Sequence, residues 1–244
     1  TIGLEILDQL ADVQNVIVPI GGGGLISGVA YAIKNINPKI KVYGVQATGA
    51  PSMFNSIHDH KIETLDHVST IADGIAVKEP GENTFKYVNE YVDDIVTVSD
   101  DEISTAILTL IEQQKLISEG AGAVSVAAAM FNKVPIKGQK TVCLVSGGNI
   151  DVTILSRVIK RGLIRSGRNC LLTIELLDKP GQLKRVSQLI ADLGANVTSI
   201  HHERASEGSD INGCFLRVII ETRNFDHIEQ IRTALINDGF KLVD

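Results

Sequence analysis

The sequence has no apolar run approaching the ~18–20 residues that a bilayer-spanning helix needs, which excludes a helical membrane protein. It also lacks a basic excess. Its 23 Lys+Arg against 29 Asp+Glu give a net charge of −6, whereas a general binder of nucleic acid or acidic lipid carries the opposite balance. Cysteine is sparse: Cys143, Cys170 and Cys214 stand far apart in apolar runs. Neither a zinc pair nor a disulfide framework emerges, which points to a reducing, cytoplasmic setting. No Met and no leader-like segment opens the chain. The helical pattern Ile2, Ile6, Leu7, Leu10 starts at once, as in a piece cut from something longer. What remains is ordinary globular composition, 44% hydrophobic and 21% charged over 244 residues, enough for one large domain or two of common size.

Residues 13–165 alternate short β-branched runs with helical patterns. Strands are expected at 13–20 (VQNVIVPI), 41–46, 94–98 and 140–145, with helices at 25–35, from Ser99 to 116, and at 121–131. Ser99 with Glu102 three residues later is a capping-box signature. Strand–helix alternation of this kind implies an α/β domain, a parallel sheet covered on both faces. Residues 154–168 read as a connector helix whose basic face (Arg157, Lys160, Arg161, Arg165, Arg168) is solvated. From 171 the order becomes strand (171–177), helix (183–193), strands (196–205 and 214–222) around a polar turn at 206–213, helix (225–237) and a short strand (240–243). That β-α-β-β-α-β order is ferredoxin-like. Two domains follow, 1–165 and 166–244.

The strongest chemical signal is Gly21, Gly22, Gly23 and Gly24, placed directly after a strand and before a helix. Bare backbone N–H groups at the positive end of a helix form a phosphate site; a glycine turn with only a packing role is the alternative. The dinucleotide spacing fails, because the third glycine falls on Ile26 or Ser27 and the next strand ends at Gln46. No Gly-Lys-Ser/Thr follows, so a triphosphate loop fails as well, and a compact monophosphate fits best. Ser146-Gly147-Gly148-Asn149 also follows a strand, and a parallel sheet gathers its strand ends on one edge. Glu119, ahead of the helix that begins Gly120-Ala121-Gly122, reads either as a helix-terminal charge or as a site acid. Ala72-Asp73-Gly74 is a further turn.

The ordered set GGGGLISG (21–28), IADG (71–74), DDIVTVSDDEI (93–103), EGAGA (119–123) and SGGN (146–149) resembles the fold-type II pyridoxal-phosphate enzymes, and among them the threonine ammonia-lyases, or threonine dehydratases. The resemblance covers residues 1–165. It implies pyridoxal 5'-phosphate as cofactor, its phosphate held by Gly21, Gly22, Gly23, Gly24 and Leu25. It places Ser146 on the pyridine nitrogen, and Gly74 and Glu119 along the cofactor's edge. A serine hydroxyl is a neutral partner, so the ring is a weaker electron sink than beside Asp, which favours expulsion of a β-substituent. The implied reaction converts L-threonine, or L-serine, to a 2-oxo acid and ammonia. A serine dehydratase or racemase of the same fold, and a non-catalytic amino-acid-binding module, are the alternatives.

One element of the family pattern is missing. The Schiff-base lysine of these enzymes lies in a Ser-Phe-Lys-x-Arg-Gly motif upstream of the glycine loop, and nothing here matches it. The chain therefore reads as the C-terminal portion of a longer enzyme, without lyase activity alone. No metal site is expected: Gln46 and Ser52 stand where related racemases place carboxylates, and His58, His60, His201 and His202 read as loop and strand residues. The segment from 166 resembles an ACT domain. That resemblance implies a regulatory amino acid, isoleucine or valine, near Gly181, Gln182, Leu183 and Asn196, and assembly into a homo-oligomer. The implied setting is amino-acid metabolism, at the head of isoleucine synthesis or, in catabolic members, under other control.

Overall fold

A computed structural model describes residues 1–204 and 213–243. Contacts divide the chain into two compact units, 1–158 and 159–244. That division falls inside one helix, ahead of the 165/166 boundary read from the sequence. Ala205 and most of the expected turn at 206–213 lie outside the described residues. No helix among the described residues is long and apolar enough to cross a membrane.

In the first unit, β1 (Asn15–Pro19), β2 (Lys41–Ala47), β3 (Asp94–Val98) and β4 (Thr141–Cys143) form a sheet in the order β3-β2-β1-β4. Every pairing is parallel. All five residues of β1 are buried, as a strand covered on both faces requires. Their side chains alternate: Ile17 enters one core cluster, with Val45, Ile103, Ile107 and Val124, while Val16 and Val18 enter the other, with Ile26, Val29 and Ile33. Two faces thus need two helical layers, at ~1.5–3 kcal/mol per buried aliphatic side chain. The layers come from α1 (Ile2–Gln9) and α2 (Gly24–Ile36) on one side and from α5 (Asp100–Thr109) and α6 (Gly120–Met130) on the other. Helices α3 (Ser52–His58) and α4 (Glu82–Tyr91) lie between β2 and β3, and α7 (Val152–Arg165) follows β4.

Ser99 caps α5 as expected: its hydroxyl accepts the Glu102 N–H, and the Glu102 carboxylate accepts the Ser99 N–H at 2.7 Å. The helix does not run to 116. It ends at Thr109 in a π-turn over Leu110–Gln114, and Lys115 turns left-handed at φ 59°.

In the second unit, β5 (Asn169–Leu177), β6 (Asn196–Arg204), β7 (Gly213–Glu221) and β8 (Lys241–Leu242) form an antiparallel sheet in the order β6-β7-β5-β8. Leu172, Ile174, Leu216, Val218 and Ile220 share a core with Val186 and Ile190 of α8 (Gln182–Asp192) and with Ile231 and Leu235 of α9 (Phe225–Asn237). This is the ferredoxin-like arrangement expected from the element order.

Candidate functional site

Because the strands of the first unit are parallel, their C-terminal ends share one edge, and β1 and β4 are hydrogen-bonded neighbours there. The loops that follow them, Gly21 to Gly24 and Ser146 to Asn149, therefore start from the same edge. Gly23 is left-handed at φ 91°, and a Cβ on it would sit 2.7 Å from Met53 and 2.9 Å from Thr84, so no larger residue fits. The Thr84 hydroxyl donates to the Gly22 carbonyl and the Ser27 hydroxyl to the Gly23 carbonyl. The loop's N–H groups are left over. Those of Gly22, Gly23, Gly24 and Leu25 find no acceptor among the described residues. A Cβ on Gly22 or Gly24 would meet nothing within 4 Å. Uncommitted donors over open space at the start of a 13-residue helix suit an anion.

Close contacts link this loop to the second. A Cβ on Gly21 would lie 3.4 Å from the Gly74 carbonyl, and one on Gly74 would lie 3.2 Å from Glu119 Oε1. Glu119 is the N-cap residue of α6, yet its side chain makes no cap bond. Its carboxylate instead accepts the Asn149 N–H at 3.1 Å, while its own N–H donates to the Gly147 carbonyl at 3.3 Å. Gly147, at φ 84°, has no room for a side chain: a Cβ would come within 2.5 Å of Glu119. A Cβ on Gly122 would lie 2.1 Å from the Ser146 carbonyl, and the Ser125 hydroxyl donates to the Leu144 carbonyl at 2.7 Å. The structure thus brings Gly21, Gly74, Glu119 and Ser146 into one continuous cluster. The Ser146 hydroxyl has no hydrogen-bond partner among the described residues. Beneath the loop, burial pushes the Cys143 thiol up to about 11, so it is an inert packing group at neutral pH.

Gln46 has a structural task. Its amide donates to the Ile20 carbonyl at 3.3 Å and its oxygen accepts the Phe54 N–H at 2.8 Å, fastening α3 to the sheet. Several lysines of this unit are committed away from the glycine loop. Lys34 and Lys41 share Asp93, Lys61 pairs with Glu63, Lys133 with Glu102 and Lys140 with Asp12. The Lys78 amine donates to the Asp66 carbonyl.

In the second unit, a groove of about 400 Å³ lies at the β5–α8 turn. It takes in Gly181, Gln182 and Leu183, with Gly181 left-handed at φ 92° as the N-cap of α8. Asn196 does not join them. It pairs with Glu221 at the far end of β6, and its amide donates to that carboxylate at 3.0 Å. The groove holds three residues that sequence reasoning did not connect: His202, Arg204 and Cys214. The Arg204 guanidinium pairs with Asp178 at 2.8 Å, and burial together with the Asp178 carboxylate pushes the Cys214 thiol up. Only strand register could have joined Cys214 of β7 to His202 and Arg204 of β6.

Comparison with known proteins agrees with both halves of this picture. The profile of the family described as pyridoxal-phosphate dependent enzyme matches residues 1–148, and that of the ACT domain matches residues 171–237. An L-threonine ammonia-lyase of Thermotoga maritima is 47% identical over 242 residues, 99% of this chain and 60% of that protein. The catabolic L-threonine dehydratase TdcB of Escherichia coli is 51% identical over 160 residues, 65% of this chain and 49% of that one. Among solved structures, the processed form of threonine deaminase isoform 2 from Solanum lycopersicum superposes with a TM-score of 0.63 at 42% identity, covering 66% of this chain and 48% of that one. The chain thus spans about 60% of the length of the Thermotoga maritima relative and about half that of the Escherichia coli one.

Proposed function

The chain belongs to the pyridoxal-phosphate dependent enzymes, and on that premise we propose that it carries the phosphate and ring-nitrogen half of the cofactor site of a threonine ammonia-lyase. The observation that carries this reading is the row of uncommitted N–H donors from Gly22 to Leu25, together with the unpartnered Ser146 hydroxyl in the loop that leaves the neighbouring strand. The residues fit the group. The glycine loop offers donors without side chains to a dianionic phosphate, with Gly21 packed against the Gly74 turn behind it.

When bound, the cofactor supplies an electron sink for the α-carbon of an amino acid. Ser146 tunes that sink. Its neutral hydroxyl can share a hydrogen bond with the ring nitrogen without stabilising a full positive charge there, which favours loss of a β-hydroxyl over longer-lived carbanion chemistry. Glu119 is a positioning residue in this reading: by accepting the Asn149 N–H it sets the loop that presents Ser146. L-Threonine would give 2-oxobutanoate and ammonia, with L-serine the lesser substrate. The reactive lysine is assigned outside this chain, because no lysine here stands in the family's motif.

The division of labour is placed at 165/166, with the ACT unit sensing an amino acid, isoleucine or valine, at the Gly181–Gln182–Leu183 turn. Strand β6 is an edge of its sheet, a template that supports pairing of two copies into a homo-oligomer. Cys143, Cys170 and Cys214 form no disulfide among the described residues, which suits a reducing, cytoplasmic compartment. The test is turnover by the full-length protein of L-threonine, L-serine and D-serine, with and without isoleucine. Preferential release of 2-oxobutanoate from threonine is expected. Serine racemisation as the main activity would contradict the reading.

A further inference from the structure

We propose that the second unit carries a site for a borderline-soft divalent cation, typified by Zn²⁺, with Asp178, His202 and Cys214 as its protein ligands. The donor atoms of these three residues all lie within 4.8 Å of one another. They arrive from β6, from β7 and from the turn that follows β5. In the ladder, Leu176 pairs with Cys214, His202 with Leu216, and Arg204 with Cys214. Asp178 follows the buried series Leu172, Ile174, Leu176 by the same step of two, and Cys214 ends the buried series Ile220, Val218, Leu216. On the helix-covered face, each apolar row therefore gives way to a ligand-type residue at the same end of the sheet. Helix α8 begins only at Gln182, and the groove lies there.

The donor set has a chemical preference. A thiolate, an imidazole and a carboxylate together suit Zn²⁺ or Co²⁺ and not Mg²⁺ or Ca²⁺, which want oxygen alone. Three protein ligands leave a fourth tetrahedral position open. Bonds of ~2.0–2.3 Å put tetrahedral donors roughly 3.3–3.8 Å apart, so side-chain movements of about 1 Å close the site. Neither the His202 ring nor the Cys214 thiol is engaged in a hydrogen bond among the described residues. Asp178 is engaged, by Arg204. Arg204 is thus a cation in competition for the same carboxylate, and metal binding displaces it while the Cys214 proton leaves to solvent.

The test is independent of lyase chemistry. The chain, stripped with chelator, is titrated with Co²⁺ and then with Zn²⁺ under reducing conditions. One Co²⁺ per chain is expected, with the near-ultraviolet absorption of a cobalt–thiolate bond, displaced by Zn²⁺. Losing a partner that only orients a ligand costs 10–100-fold, so losing a ligand itself costs at least ~10-fold in affinity. Cys214→Ser and His202→Gln should both do so, whereas Cys143→Ser and Cys170→Ser keep the site. Cys214 is buried; should its variant fail to fold, exposed His202 carries the test. Zn²⁺ should then raise the thermal midpoint of the parent chain more than that of His202→Gln. Arg204→Gln should bind tighter than the parent. No thiolate absorption at stoichiometric Co²⁺, or an absorption that survives Cys214→Ser, overturns the proposal.

Discussion

In residues 1–158 four parallel strands send their C-terminal ends to one edge, and the chemistry there is backbone chemistry. Glycine N–H groups and a single hydroxyl occupy two contiguous loops that follow neighbouring strands, and the Glu119 carboxylate at the start of α6 clamps the second. In residues 159–243 the strands are antiparallel, and the polar groups at one end of the sheet are side chains contributed singly by β6, β7 and the turn after β5. A backbone site is written in the sequence as a run. A side-chain site assembled by register is written as scattered letters that only pairing collects.

The most damaging way to test the first half of that contrast is to fill the close approach behind the Ser146 loop. Gly122→Ala places a Cβ where the Ser146 carbonyl now stands 2.1 Å away. It should cost ~1–3 kcal/mol in chemical unfolding, as overpacking does, and weaken pyridoxal-phosphate binding with it. A cleaner separation of binding from folding comes from Gly22→Asp. A Cβ there meets nothing within 4 Å, so the fold should stand. The added carboxylate opposes a phosphate dianion, and affinity should fall ~10–100-fold, about 1.4–2.8 kcal/mol, by fluorescence titration. Gly22→Ala should change unfolding free energy little.

Ser99→Ala probes an element away from the site. Removing the cap of α5 should cost ~1 kcal/mol in urea unfolding and leave cofactor affinity unchanged. The smallest expected effect belongs to Asp93. Burial pushes its carboxyl up, but hydrogen bonds from Lys34, Lys41 and the Val42 N–H outweigh that and hold it below the usual carboxylate range. The stability it contributes is present above the unfolded-state pKa of ~3.9 and is lost as pH falls through the lowered folded value. Asp93→Asn should cost up to ~1 kcal/mol at pH 7, and parent and variant should converge in strong acid.

The long-range order was readable wherever local pattern and tertiary role coincide. Strand β3 and helix α9 match their expected limits, and the Ser99 capping box forms both of its bonds. Helix α4 escaped because its sequence ENTFKYVNEY buries only Val88, too thin a stripe to register as periodicity. The early end of α5 escaped because a π-turn over LIEQQ keeps helical composition while changing the hydrogen-bond step. Regular β4 stops at Cys143, although the Leu144 N–H still reaches the Ile17 carbonyl, because the chain is already peeling toward Ser146. For Glu119, its place before a helix left a terminal charge and a site acid equally open; its contact with Asn149, thirty residues on, is a tertiary fact. His202 read as an ordinary strand residue for the same reason. Its neighbours Asp178 and Cys214 are brought to it by register alone.

In the proposed reading this chain holds the cofactor's phosphate and ring nitrogen without supplying the lysine. That reading is tested most directly by mixing the chain with pyridoxal phosphate and recording the visible spectrum, then the intact mass after borohydride. Binding that inorganic phosphate displaces is expected, with no stoichiometric adduct on any one lysine. A single stoichiometric lysine adduct, with an absorption band that threonine removes, would contradict it.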